Sequence, residues 1–591
     1  MAVYMSRLFR ISAPSMLGTQ LILFLALAMF LFDFRIYPYA DDWIFTAPLG
    51  MDNAQQFISW VFAQHVDHRI PLQKALQFWL AENFGFDFRI LVLVNVFLAF
   101  VTSLALTSAA KLYRGHQHVG DLIIPLILLM PTEAYSLWAF EMQFLSSVFF
   151  AAVAMYFACK YCVTQRDRYL GLMLLQLFLC AWCGMNGSIF SLVLLFGLFA
   201  HWWHGYRRQC KPSRWLITAA GVVLFQNIII WMTWHPSGAS AASLSIASVL
   251  ETSLKLLPAS MLLFATPWIK IKVAIILAML AISAFFVIRK YRSKQLNFTE
   301  ILMIFVVLAC IAEIISVAFG RASQGGWSDG LAMHYAILTA LIPVAAWILI
   351  SKLAGEKFAA IYSIVMIALF AGAYSENYQW RRDNSHSVMK KQMAVQRLLS
   401  TEPDSNAVID KFPLDFTWRD IPDAKAQAKS GLALLRDRNF VHYTATVPFA
   451  VMPGAGGTLS EPVGLNVVSS AQIEVLKGWV EAGDYDRTTL KNYTVFGSHI
   501  VSDADTGTLI VNVRRGQRLY YRSGPHTSSQ TIALEIGGKS IRYPLPVLGA
   551  WSAIEFSGES LPDSFQVSFH DDGNTWGEWS AIALGGRVIG H

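Results

Sequence analysis

Two adjacent carboxylates, Asp41 and Asp42, stand in the segment YPYADDWIFTAP. Neighbouring acids oppose each other's ionisation, so one of the pair is expected to hold its proton to higher pH and act as a base. Such a carboxylate accepts the proton of an attacking hydroxyl, or holds a divalent cation (Mg or Mn) that screens a phosphate. Further along, QHVDHRIPLQKALQFW carries His65, His68 and Arg69, donors suited to phosphate or sugar oxygens. Trp43, Trp60 and Trp79 offer faces for sugar stacking or for anchoring at a membrane interface. A plainer reading stays open, in which Asp41 and Asp42 cap an interfacial helix and the histidines are solvated; motifs this short arise often by chance.

The elements that must position these residues are apolar. The chain is 55% hydrophobic and only 14% charged over 591 residues, with a mean hydropathy of +0.45. A soluble chain is about one quarter charged. Long apolar runs recur up to Ala373, and from Glu376 the chain reads as polar. The fold class is therefore a polytopic α-helical membrane protein of about eleven spans with a C-terminal, mainly β, sandwich-like soluble domain. The spans are expected at 15–35, 88–110, 120–139, 143–163, 168–185, 187–205, 214–234, 270–289, 299–319, 331–350 and 357–375. The stretch 235–270, with Pro258 and Pro267, reads as an interfacial or re-entrant segment. Domains follow: a membrane domain over 1–375, a mixed helical connector over 376–444, and a β-rich domain over 445–591.

Net charge is +7, but the basic residues sit in short clusters between apolar runs, which argues against nucleic acid and for an orienting role. Arg7, Arg10, Lys111, Arg114, Arg166, Arg168, Arg207, Arg208, Lys211 and Arg214 fall on one side. Arg289 to Lys294, Lys352 and Lys357 continue that side. The N-terminus is then cytoplasmic, and an odd span count puts the C-terminal domain and the long first loop, 36–87, outside: the periplasm of a bacterium, on its inner membrane. Cys159/Cys162 and Cys180/Cys183 are expected roughly 20–30 Å apart, too far to share a metal.

The pattern A-D-D-W-x-F after the first apolar helix, followed by H-x-x-H-R-I-P, resembles the GT-C superfamily of membrane glycosyltransferases. Within it, the likeness is to the bacterial branch that modifies surface polysaccharide, including O-antigen glucosyltransferases, and it spans 15–375. It implies a GT-C-like body and a polyprenyl-phosphate sugar donor. It also implies a polysaccharide or lipid-linked oligosaccharide acceptor, inversion at the anomeric centre, and Asp41 or Asp42 as base. Glu141 and Gln143, in WAFEMQF, are costly at that depth unless they line a cavity, and Glu133 lies just before them. The run from Gly320 to Gly330, then His334 and Tyr335, resembles a GR…RY arrangement in which His334 replaces the second Arg; that leaves the second phosphate contact open. Arg321 is the stronger donor-phosphate ligand, with His68, Arg69 and His334 beside it, and snorkelling is its plainer role. Glu313 and Asn186 read equally as a paired bundle residue and a cap.

In the soluble third, the residues 385–399 suggest an amphipathic helix, and Tyr493–Val501, Thr508–Val513, Gln530–Ile536 and Ser564–Phe569 read as strands. The segment HDDGNTWGEW resembles one sialidase Asp-box turn without its leading Ser. This domain either binds the glycan or only braces the membrane part. The reading that results is transfer of a hexosyl group, glucosyl by the resemblance, on the exterior face. The rivals are a lipid-linked glycan polymerase or ligase, and a glycolipid transporter, which would show internal repeats and midplane polar residues.

Overall fold

The computed structural model describes residues 13–30, 35–66, 68–129, 138–206, 212–235, 245–261, 269–321 and 335–372, and parts of 391–585. Two compact units emerge: 1–396 with 409–442, and 397–408 with 443–591.

In the first unit, helices lie at all eleven expected apolar runs, and among the described residues seven are long and apolar enough to cross a membrane. These are Phe88–Arg114, Ala139–Thr164, Gly184–Trp203, Arg214–Met232, Ile269–Arg292, Phe298–Arg321 and Ala336–Leu353. The other four fall short in what is described: Ser15–Leu27, Val119–Leu129, Asp167–Cys180 and 356–372. Asp167–Cys180 stops early because Gly184, at φ +84°, turns the chain directly into the next helix. Within 235–270 the described portion forms the short helix Ile246–Leu256, whose apolar face is strongly one-sided, as an interfacial segment requires.

Contacts sort the helix ends into two sets. At one end Arg114 bonds Ser351, Lys352 reaches the Arg114 carbonyl, and Tyr113 donates to Glu300, so the basic clusters gather together. At the other end Asp42 meets Phe140, and Arg69 meets both Gly184 and Thr233. The helix Met142–Thr164 links the two, and its 23 residues reach about 35 Å.

The long first loop folds as a 3-10 stretch, Ala40–Gly50, then helices Ala54–Phe62 and Pro71–Asn83. In the last of these the usual polarity is inverted. Gln73, Lys74 and Gln77 are buried, whereas Leu72, Leu76 and Trp79 form an exposed stripe at helical spacing. Backbone meets part of this polarity: Lys74 donates to the Trp60 and Ala63 carbonyls and Gln77 to Ala139, while the Oε1 atoms of Gln73 and Gln77 have no hydrogen-bond partner among the described residues. An apolar stripe outside and bonded polar groups inside suit a helix that faces lipid.

In the second unit eleven strands among the described residues form two antiparallel sheets. They are β1 (Ala450–Met452), β2 (Ile473–Lys477), β3 (Val480–Glu481), β4 (Tyr493–Gly497), β5 (Gly507–Arg514), β6 (Arg518–Ser523), β7 (Gln530–Ile536), β8 (Lys539–Pro544), β9 (Ser552–Glu555), β10 (Ser564–Asp571) and β11 (Ser580–Gly585). One sheet runs β1-β9-β6-β11-β4-β3 and the other β2-β5-β10-β7-β8. Alternate residues of both, among them Val511, Ile532 and Phe569 from one and Tyr521, Ile554 and Ile582 from the other, share one buried core. Two sheets closed on a common apolar layer make a sandwich. At the expected turn after β10, the Gly573 amide donates to Asp571, an Asx-type closure.

Candidate functional site

The 3-10 stretch separates the two aspartates, because adjacent side chains on it point in different directions. Asp42 turns inward and is 2% exposed. One of its carboxylate oxygens accepts the Phe140 amide at 2.7 Å, and the other the amides of Tyr39 at 3.2 Å and Ala139 at 3.4 Å. Burial raises its pKa to about 8 against the opposing pull of these amides, and the neighbouring Asp41 charge adds to the rise. Asp42 thus pins the start of helix Ala139–Thr164 to the loop.

Asp41 stays partly exposed, and His65 Nε2 lies 3.6 Å from its carboxylate. His65 is held by reciprocal backbone bonds with His68, each 2.8 Å, which close the turn at 65–68. The His65 ring meets Phe140 edge-on at 5.3 Å, so the residue is fixed against the same helix start that Asp42 pins.

Around this pair the site extends over four elements. His68 packs against Phe144 and lies beside Gly184, where an added Cβ would stand 3.1 Å from its Nδ1 and 3.3 Å from Gln143 Oε1. A side chain at 184 would therefore displace the histidine, and the positive φ of Gly184 disfavours one as well. Phe144 in turn meets Tyr335, whose hydroxyl accepts from Arg321 Nε at 3.3 Å. Tyr335 is buried within electrostatic reach of Arg321, Glu141 and Asp41. Glu141 is itself buried, and neither of its carboxyl oxygens has a hydrogen-bond partner among the described residues.

The structure thus brings together Asp41, His65, His68, Glu141, Gln143, Tyr335 and Arg321. Two expected residues take other places. The Arg69 guanidinium binds the Thr233 hydroxyl at 2.6 Å and its carbonyl at 2.7 Å, so it ties the loop to helix Arg214–Met232. Trp43, 2% exposed, donates its indole N–H to the Phe416 carbonyl at 2.9 Å, which fixes the ring as wall rather than open platform. His334 and Glu133 lie outside the described residues, as do most of 320–330 and 385–399. Asn186 lies within this neighbourhood and bonds Ser147. Among the described residues no three His, Cys, Asp or Glu side chains gather as a metal site.

The helix Pro422–Asp437 falls in the expected helical connector, but its closure over the 3-10 stretch is not foreseen from sequence. Gly431 permits the approach: a Cβ there would stand 2.5 Å from the Trp43 ring and 2.7 Å from Thr46 Oγ1. Alanine favours a helix over glycine by about 1 kcal/mol, but overpacking costs about 1–3 kcal/mol. Gly431→Ala should therefore lower the thermal unfolding midpoint in detergent; a raised midpoint would contradict this packing.

No family model and no curated protein matches the sequence. Among solved structures, the cryo-EM structure of arabinosyltransferase EmbB from Mycobacterium smegmatis is similar with a TM-score of 0.30 at 10% identity, covering 95% of this chain. The chain spans 64% of that protein's length. Likeness at this level transfers neither fold nor activity, so the chemistry must be argued from the site itself.

Proposed function

We propose that the chain is a membrane glycosyltransferase of GT-C type. It moves a hexosyl group, glucosyl by the sequence resemblance, from a polyprenyl-phosphate carrier to a saccharide acceptor on the exterior face. The observation that carries the reading is the meeting of an accessible carboxylate, Asp41 with His65 at 3.6 Å, and a cation, Arg321 on Tyr335, at one end of an apolar helix bundle. Group transfer from a lipid phosphate needs both: a base for the incoming hydroxyl and a positive charge for the departing phosphate.

In this mechanism the acceptor hydroxyl oxygen attacks the anomeric carbon and its proton passes to Asp41. The bond from that carbon to the phosphate oxygen breaks on the opposite face, which inverts the centre. The electron pair leaves with the phosphate, whose charge Arg321 offsets. His65 orients Asp41. His68 and Gln143 have the placement to bond sugar hydroxyls.

Transfer of radiolabelled sugar from polyprenyl phosphate by the purified protein tests the reading, and absence of any glycosidic product with a panel of donors would overturn it. Arg321→Gln should lower kcat by about 10²-fold, the usual loss on removing one donor to a developing negative charge. An unchanged kcat would remove Arg321 from the phosphate.

A further inference from the structure

On the other side of His65 lies a half-open cavity of about 310 Å³ that the mechanism above does not use, walled by Trp43, Trp60, His65, Lys74, Gln427 and Ser430. Pockets for small ligands begin at about this size, enough for one or two sugar rings. Its polar character is one-sided. No carboxylate belongs to its described lining. The Lys74 side chain, 1% exposed, reaches the wall with only the Trp60 and Ala63 carbonyls as acceptors and the Trp60 ring 5.2 Å away. The Trp60 indole N–H is buried without an acceptor among the described residues. Among the described residues this ammonium has no carboxylate partner, and a buried cation in that position is completed by a bound anion. Burial alone pulls the Lys74 pKa down to about 8, in keeping with a charge that lacks its partner.

We infer that this cavity is a subsite for an anion-bearing sugar, carboxylated or phosphorylated, at the end of the acceptor saccharide. Its charge rests on Lys74, its ring lies against Trp60, and it leads the reacting hydroxyl past His65 to Asp41. This extends the glycosyltransferase reading, on which the word acceptor depends, but binding can be read without turnover.

The test is saturation-transfer NMR on the detergent-solubilised full chain with glucuronate, glucose 6-phosphate, glucose and inorganic phosphate, and no donor present. Glucuronate or glucose 6-phosphate should bind about tenfold more tightly than glucose, the worth of one hydrogen bond to a charged group. The better of the two identifies the anion. Lys74→Met should erase the preference. Gln427→Trp, on the exposed face of its helix, should fill the cavity and abolish binding even where Lys74→Met fails to fold. Equal binding of glucose and both anionic sugars would overturn the subsite. So would inorganic phosphate matching glucose 6-phosphate, or binding unaltered in Gln427→Trp. Absent transfer with anion-selective binding intact would instead count against the enzymatic reading alone.

Discussion

Asp41→Asn should lower sugar transfer by about 10²–10⁴-fold, the contribution of a positioned general base, with little change in folding. The side chain is partly exposed and, among the described residues, lies 3.6 Å from His65, so the amide isostere disturbs no buried pair among them. Asp42→Asn should behave differently. Its carboxyl oxygens are already taken by the amides of Tyr39, Ala139 and Phe140, and the group is buried. Its raised folded pKa, about 8 against 3.8, means that the folded chain keeps a proton the unfolded chain has lost. Stability from this group is therefore present below about pH 4 and drains away as pH climbs toward 8. Asparagine, which never ionises, should flatten that decline in the unfolding midpoint while leaving measurable transfer. Full activity in Asp41→Asn together with inactivity in a folded Asp42→Asn would exchange the two roles.

The largest loss of stability is expected far from this chemistry, at the bundle's other end. Arg114 and Asp121 pair with both side chains 1% exposed; Arg114 also bonds Ser351 at 2.7 Å, and Asp121 accepts from the Trp347 indole at 3.1 Å. Removing one member of such a pair leaves its partner charged in a dry site, which costs about 3–5 kcal/mol. Asp121→Leu should destabilise the detergent-solubilised protein by that amount in reversible unfolding. The double variant Arg114→Met with Asp121→Leu should recover much of the loss, because no orphan charge remains. A cost under about 1 kcal/mol for the single change would show that water or lipid headgroups already reach the pair.

How far the sequence foretold these features depends on the physics of each. Helix positions were legible because lipid imposes an unbroken apolar run, and charge clusters marked which helix ends meet. The run at 168–185 gave a shorter helix than expected, since hydropathy counts residues but does not see a turn such as that at Gly184. Strands β5, β7 and β10 showed their alternation, whereas β6, with the sequence RLYYRS, buries tyrosines at successive positions and hides it. At the site, adjacency alone left Asp41 and Asp42 equivalent. What distinguishes them is three backbone amides, two of them from a segment almost a hundred residues away, and backbone donors carry no residue signature. Arg69 looked like a phosphate ligand by type, but its partner Thr233 is 164 residues distant. The closing helix Pro422–Asp437 looked like connector because its buried face is short, Ala428, Gly431, Leu432 and Leu435, on an otherwise polar helix.

The bond from Trp43 to the Phe416 carbonyl spans 373 residues, and Arg438 reaches back 389 to Leu49. The loop that carries Asp41 therefore leaves the ribosome long before the segment that covers it has been made. At about 5–20 residues per second the delay is on the order of tens of seconds. During it the newborn Trp43 and its apolar neighbours have no lid. Completion of this end of the bundle is in this sense timed by synthesis: the loop waits for a segment made 373 residues later, and any chain interrupted before Phe416 carries its aspartates without their cover.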